Sequence, residues 1–203
     1  MAAQEATPED IERLRRQLGL DRPAYIQFFD WIYKVAQGDF GISIRTSRPV
    51  IEDAIPRFLN TLQLALVSMV FATIVGAITG IISAANRNSA FDILSMLIAI
   101  FGISMPTFWL GLMLIVLFAV MLGWFPAGGI GGIEHLVLPS LALGMWSVAL
   151  IARTTRSTML EVMDQDYIRT ARAKGLAERV VIYKHAFKNT LIPVVTVVGL
   201  QFG

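Results

Sequence analysis

Three stretches of this chain carry no charged side chain: Phe58 to Asn86, bounded by Arg57 and Arg87, Ile93 to Ile133, and Asn189 to Gly203. A helix needs about 20 predominantly apolar residues to cross a hydrocarbon core of about 30 Å, so the first two runs are each long enough. In lipid every backbone N–H and C=O must be paired within the segment, and runs this long therefore read as helices. A mean hydropathy of +0.63, with 55% hydrophobic and 16% charged residues, lies far from that of a soluble domain. The expected fold class is all-α and integral to a membrane. The chain has no cysteine, which excludes disulfides, thiol chemistry and Cys-ligated metals.

Charge is concentrated elsewhere. Arg153 to Lys188 holds eight Lys/Arg against four Asp/Glu, whereas residues 1–57 hold eight against nine. Lys/Arg bias places the basic island in the cytoplasm. Alternation then puts Arg87 to Asp92 inside, and the Gly-rich turn Gly123 to His135 and the whole of Met1 to Arg57 outside. Met1 to Leu20 has no apolar signal-peptide core, and Asn189 to Gly203 offers only 15 uncharged residues. The reading expects a chain truncated at both ends, with about three full spans and the start of a further one.

The external segment is expected to be folded. Thr7 reads as an N-cap with Pro8 at the first helical position, opening a helix through Gln17 that Gly19 closes. A second short helix fits Ala24 to Val35, and Gly38, Gly41, Pro49 and Pro56 punctuate a loop leading into the membrane. The first span, Leu59 to Ala84, places Ser68, Ala72, Gly76, Gly80 and Ala84 four residues apart, a small-residue stripe that admits a close helix neighbour. The second begins near Phe91 and meets Pro106. A kinked span of about 30 residues is the first expectation there and a re-entrant arrangement the alternative. The third runs from about Leu136 to Ala152, with Arg153 and Arg156 anchoring its inner end.

Within the island, Leu160, Met163, Tyr167 and Ala171 recur every three or four residues, as an amphipathic helix requires. Asp164 or Asp166 can cap the run Tyr167 to Lys174, Gly175 can end it in a left-handed conformation, and a new helix begins over Ala177 to Ala186. Such a helix, turn and helix suits docking, with Ala171 and the Gly turn allowing a partner close. A basic helix resting on anionic lipid is the equally weighted alternative.

The sequence Asp166-Tyr-Ile-Arg-Thr-Ala-Arg-Ala-Lys-Gly175-Leu, followed by His185-Ala-Phe-Lys-Asn189 and Leu191-Ile-Pro-Val-Val-Thr196, resembles the cytoplasmic signature loop of binding-protein-dependent ABC importer permeases. Arg153 to Val162, Gly38 to Ser43 and Ser104-Met-Pro-Thr-Phe-Trp109 are similar to the dipeptide/oligopeptide/nickel branch. Of the broad Glu-Ala-Ala pattern, Arg169, Thr170 and Ala171 fill the first three positions and Gly175 the Gly. The resemblance implies the type I ABC importer transmembrane fold, with residues 1–56 a periplasmic segment and 57–203 an incomplete transmembrane domain carrying a coupling loop over 153–190. It also implies a multi-pass subunit of the bacterial inner membrane, paired with a second permease (a heterodimer), two cytoplasmic ATPases and a periplasmic or lipid-anchored solute-binding protein. The coupling residues it marks are Asp166, Tyr167, Arg169, Thr170, Ala171, Ala173, Lys174, Gly175 and Leu176. Peptides or related small solutes would be the cargo.

No phosphate-binding Gly-x-x-x-x-Gly-Lys-Ser/Thr run is present, so hydrolysis is expected on a separate ATPase. No cofactor, catalytic residue or nucleic-acid partner is expected. His135 and His185 lack a ligand cluster at metal spacing. Trp109, Trp124 and Trp146 read as lipid or interface contacts. Asn60, Gln63, Thr73, Thr79, Ser83, Ser95, Ser104 and Thr107 are polar enough to line a passage or simply to bond backbone, and none is assigned to substrate. A secondary transporter would ordinarily carry charged groups within its spans, and an intramembrane enzyme a nucleophile with a partner. A non-transporting scaffold is the remaining alternative.

Overall fold

The computed structural model describes residue 12 and residues 22–202; the helix expected over Thr7 to Gln17 lies, but for Glu12, outside the described residues. Two compact units divide the chain, residues 1–60 and 61–203. Among the described residues the structure is helical, with one isolated antiparallel bridge between Ile42 and Pro49.

In the first unit α1 spans Ala24–Ala36. Arg22 pairs with Asp30 at 3.0 Å, and the Gln27 amide donates to the Arg22 carbonyl at 2.7 Å, fixing the helix entry. Gly38 and Gly41 turn the chain at φ +83° and +79°, a region that suits glycine. The Val50 amide then donates to the Gly41 carbonyl at 2.9 Å, and Thr46 Oγ1 to Asp53 Oδ2 at 2.7 Å. Helix α2 starts there and runs Val50–Ala85. It begins nine residues before the expected Leu59 and passes through Pro56, expected in a loop. Glu52 and Asp53 in its first turn complement the positive end of the helix dipole.

Helix α2 has 36 residues, or about 54 Å at 1.5 Å per residue, more than a hydrocarbon core requires. Its Ser68, Ala72, Gly76, Gly80 and Ala84 are all buried, while Val70, Ile74 and Ile78 form an exposed apolar row. The buried row meets α5, Glu134–Met163. A Cβ added to Gly76 would lie 2.9 Å from Ile151 Cβ and the Val148 carbonyl oxygen, and one added to Gly80 would lie 2.6 Å from the Ala152 carbonyl oxygen. The approach is reciprocal, because a Cβ on Gly144 of α5 would come within 2.9 Å of the Phe71 ring. Backbone thus packs on backbone, which is what small residues permit where no water drives helices together.

Between them α3 spans Ala90–Ser104, and α4, Thr107–Leu114, continues as a π-helical turn over Ile115–Met121. Met105 and Pro106 both adopt extended ψ values of 131°. Proline clashes with an α-helical predecessor, so Met105 leaves the helix and Pro106 precedes the next, where its missing amide costs nothing. The two halves bend by 108°, far beyond a proline kink. The 15 residues of α3 reach about 22 Å, short of a full crossing; Asp92 meets Arg156 near the end of α5, while Gly102 faces Met145 and Gly111 faces Ala142 nearer its start, so the pair departs from the kinked rod and runs along α5 as one broken span. Among the described residues two helices are long and apolar enough to cross a membrane, or three if the bent pair counts as one span.

The other two expectations shift at their edges. Helix α5 runs on to Met163 instead of ending near Ala152, so Arg153 and Arg156 lie within it. After α6, Asp166–Ala173, a turn at Glu178–Val180 continues through a π-helical Val181–Ala186 directly into α7, Phe187–Phe202. Ala72 of α2, Ile151 of α5 and Val194 of α7 close a three-helix core.

Substituting Gly80→Ala is expected to destabilise the protein by about 1–3 kcal/mol, because the added methyl meets a carbonyl oxygen that cannot rotate away. Gly199→Ala, with nothing within 4 Å of its added Cβ, serves as the contrast and should be neutral or stabilising by up to about 1 kcal/mol. Thermal unfolding in detergent distinguishes them; equal melting temperatures would contradict the close α2–α5 approach.

Candidate docking site

Helix α6 is set off from α5 by Asp164 and Gln165. Gln165 is its N-cap, in an extended conformation and without a side-chain cap bond. Neither Asp164 nor Asp166 caps the helix as expected: Asp164 closes α5, and Asp166 is already the first residue of α6. Asp166 instead lies 3.3 Å from Arg169, both side chains exposed, and its carbonyl accepts from Thr170 Oγ1 at 2.9 Å. At the other end Gly175 has φ +74°, and its amide donates to the Arg172 carbonyl at 2.9 Å. Gly175 closes the helix left-handed, as glycine does after a last helical turn.

The helix has two faces. Ile168 is wholly buried and Ala171 nearly so, in a cluster with Ile81 and Ala84 of α2, Met159 of α5, and Val181 and Ala186 of the π-helical turn. This corrects the reading of Ala171 as a surface for a partner: its methyl lies inside the protein's own core. Asp166, Tyr167, Arg169, Thr170, Ala173, Lys174, Gly175 and Leu176 are exposed. Tyr167 is also tethered, its hydroxyl accepting from Asn189 Nδ2 at 2.8 Å. What remains open is a short polar and basic ridge on an apolar foot.

A brace spans the Gly175 turn. Arg172 donates to the Glu178 carboxylate through Nε at 3.2 Å and Nη2 at 2.7 Å. These hydrogen bonds hold the Glu178 carboxyl below its ordinary value, against a smaller opposing effect of burial, and raise the Arg172 guanidinium. A two-pronged Arg–carboxylate contact fixes orientation as well as distance.

One polar cluster has no counterpart in the sequence reading. Asp92, at the first turn of α3, is 3% exposed and receives Arg156 Nε at 2.5 Å and Nη2 at 2.7 Å. The Ser83 hydroxyl and the Asn88 amide complete its bonds. Ser95 donates to the Asp92 carbonyl at 3.0 Å, so Ser83 and Ser95, considered as passage-lining groups, belong to this cluster. Ser104 Oγ bonds its own helix at Ile100. The one signal in the sequence is Asp92 itself, a lone carboxylate three residues after Ser89 in an N-cap pattern and wedged between Phe91 and Ile93. Its partner, 64 residues away, leaves no local trace.

The histidines lie apart. His135 Nδ1 is 3.1 Å from the Gly128 carbonyl and lines an apolar cavity of about 370 Å³ with Gly111, Ile115, Leu138 and Ala142. His185 sits in the π-helical turn. Among the described residues no group of His, Asp or Glu is arranged to hold a metal ion. Trp109, Trp124 and Trp146 are all substantially exposed.

Residues 76–203 match the family described as binding-protein-dependent transport system inner membrane component. The glutathione transport system permease protein GsiC of Escherichia coli (strain K12) is 50% identical over 203 residues, covering 100% of this chain and 66% of that protein. The same-named proteins of Shigella dysenteriae serotype 1 and Shigella flexneri serotype 5b are likewise 50% identical over the same shares. The chain thus spans just under two thirds of the length of the curated relatives it matches.

Because the folded carboxyl of Glu178 titrates below its ordinary value, the brace is complete above about pH 4.5 and is lost as pH falls through the folded value. Glu178→Gln at pH 7 should lower amide protection over Lys174 to Leu176 by about 1.4- to 5-fold, the worth of an exposed ion pair of roughly 0.2–1 kcal/mol. Hydrogen exchange, corrected for intrinsic rates, is the measurement. Unchanged protection would show that the turn holds without the brace.

Proposed function

The chain belongs to the family of binding-protein-dependent transport system inner membrane components, and we propose from that premise that it is a permease subunit of an ATP-driven importer, carrying peptides or related small solutes across the bacterial inner membrane. Glutathione, named in the relatives, is the first cargo to test. In this reading residues 1–56 are periplasmic, 57–203 belong to the transmembrane domain, and loop 153–190 faces the cytoplasm. A second permease, two ATPases and an external binding protein complete the machine.

The observation that carries the proposal is the construction of α6. A helix of eight residues is too short to be stable alone, yet this one is anchored by Ile168 and Ala171 and stopped by Gly175 and the Arg172–Glu178 brace. Its exposed ridge suits a groove on an ATPase, and its buried foot reaches the ends of α2 and α5. Closure of the ATPases would then shift the bundle between inward- and outward-facing populations, provided that the two states seat the ridge differently.

The lipid-resting alternative asks for an apolar face toward the bilayer, and the apolar face of α6 is occupied by the protein itself. A secondary transporter would ordinarily carry a charged group free for ion coupling within its spans, whereas Asp92 is bound to Arg156.

Replacing Gly175 with Trp places a bulky side chain on the open ridge at φ +74°, where a β-carbon adds about 1–2 kcal/mol of strain. In the full-length protein with its partners, glutathione uptake should fall about tenfold, the scale of a coupling free energy of about 1–3 kcal/mol, while membrane insertion is retained. Gly175→Asn, a residue that tolerates the left-handed region, should be milder. Unchanged uptake by the Trp variant would refute the docking assignment. Co-purification with an ATPase whose hydrolysis responds to a binding protein separates a permease from a scaffold.

A further inference from the structure

We propose that Asp92 and Arg156 are positioning residues that lock α3 to the docking helix, so that force applied at α6 reaches the bent α3–α4 pair. The proposal rests on the transport reading above and adds to it a route by which the movement spreads.

The ion pair and the apolar foot of α6 are built from the same ends of α2 and α5. Helix α2 contributes Ser83 to the pair and Ala84 to the foot; α5 contributes Arg156 to the pair and Met159, one turn on, to the foot. Helix α5 joins the two layers through side chains three residues apart on one face, and α2 supplies them from consecutive positions. Helix α3 contributes Asp92 to the upper layer and, among the described residues, nothing to the buried foot. Elsewhere α3 meets α5 through apolar contact, a Cβ on Gly102 lying 3.4 Å from Met145.

The two kinds of contact resist motion differently. Apolar contact carries no bond direction, so by itself it fixes the register of two helices less sharply than a polar bond. A two-pronged Arg–carboxylate contact fixes distance, angle and register together. Asp92 also accepts from Ser83 and from the Asn88 backbone amide, so the carboxylate is held on all sides and cannot follow Arg156 alone. Breaking the pair would strand a carboxylate that is 3% exposed, which makes separation of the two helices costly in every state of the cycle. The pair therefore makes α2, α3, α5 and α6 one moving body at this end of the bundle.

Asp92→Asn keeps the shape but has one acceptor oxygen: set to receive the Asn88 amide, it turns its NH2 toward Ser83 Oγ and Arg156 Nε, so the fork to Arg156 is broken. Arg156→Lys keeps the charge but loses the fork, so it behaves as wild type if charge balance alone matters. The full-length chain, assembled with its partner permease, ATPases and binding protein in proteoliposomes, is supplied with ATP and labelled glutathione. In Asp92→Asn, glutathione imported per ATP hydrolysed should fall about tenfold with basal hydrolysis within about twofold of wild type, and Arg156→Lys should fall between them. An unchanged ratio in both variants, or uptake and hydrolysis falling in parallel, would overturn the proposal.

A second readout does not depend on the cargo. Spin labels at Leu97→Cys on α3 and Arg169→Cys on α6 should give one narrow distance distribution in the wild-type background and a broadened one with Asp92→Asn. If wild type hydrolyses ATP without importing glutathione, the cargo assignment fails and the distances still decide. A distribution that Asp92→Asn leaves unchanged would show that α3 is held by other means and overturn the proposal.

Discussion

Helices α2 and α5 approach until the Cβ missing from Gly80 would touch the Ala152 carbonyl, and the remaining contacts of the bundle at that end depend on this closeness. Ser83 and Ala84 are carried against Arg156 and Met159 only because the stripe that precedes them is small. Without the gap the foot of α6 would have no socket, and an eight-residue helix with an exposed basic ridge would fray. Lipid supplies no hydrophobic force to press helices together, so shape takes over the role that burial from water has in a soluble core.

Above this apolar contact lies its opposite, an ion pair with its carboxylate buried and its guanidinium partly exposed. A buried pair is a weak source of net stability, because desolvation offsets much of the attraction. What Asp92 and Arg156 provide is register: four bonds converge on one carboxylate and fix how α3 stands against α5. Stripe, foot and ion pair thus have separate physical roles, the first setting distance, the second anchoring the ridge, and the third setting orientation.

Much of this is legible in the sequence, and the gaps have physical causes. Uncharged runs mark the spans because lipid imposes a length and composition rule. The four-residue spacing of Ser68 to Ala84 marks the buried row of α2, and Gly175 marks the end of α6, since both are local patterns. Helix boundaries at Val50 and Met163 escape the reading because charge, which marks the edge of the lipid-compatible run, does not end a helix. Pro106 suggests a kink, whereas its effect on Met105 opens the chain by 108°. Periodicity puts Ala171 on an apolar face without saying whether the chain itself or a partner covers that face, and here the chain covers it. The Asp92–Arg156 pair is the clearest gap: Asp92 stands out as a lone carboxylate, but nothing local marks Arg156 as its partner, and only the tertiary crossing joins them.

In the proposed mechanism the open ridge of α6 meets an ATPase while its foot stays within the permease. The most direct test places a photo-crosslinking amino acid at Ala173 or at Ile168 in the full-length protein within the intact complex. Ala173 should yield an adduct with the ATPase, and Ile168 only products within the permease. Adducts of Ala173 with phospholipid alone, or none with the ATPase in any nucleotide state, would contradict it.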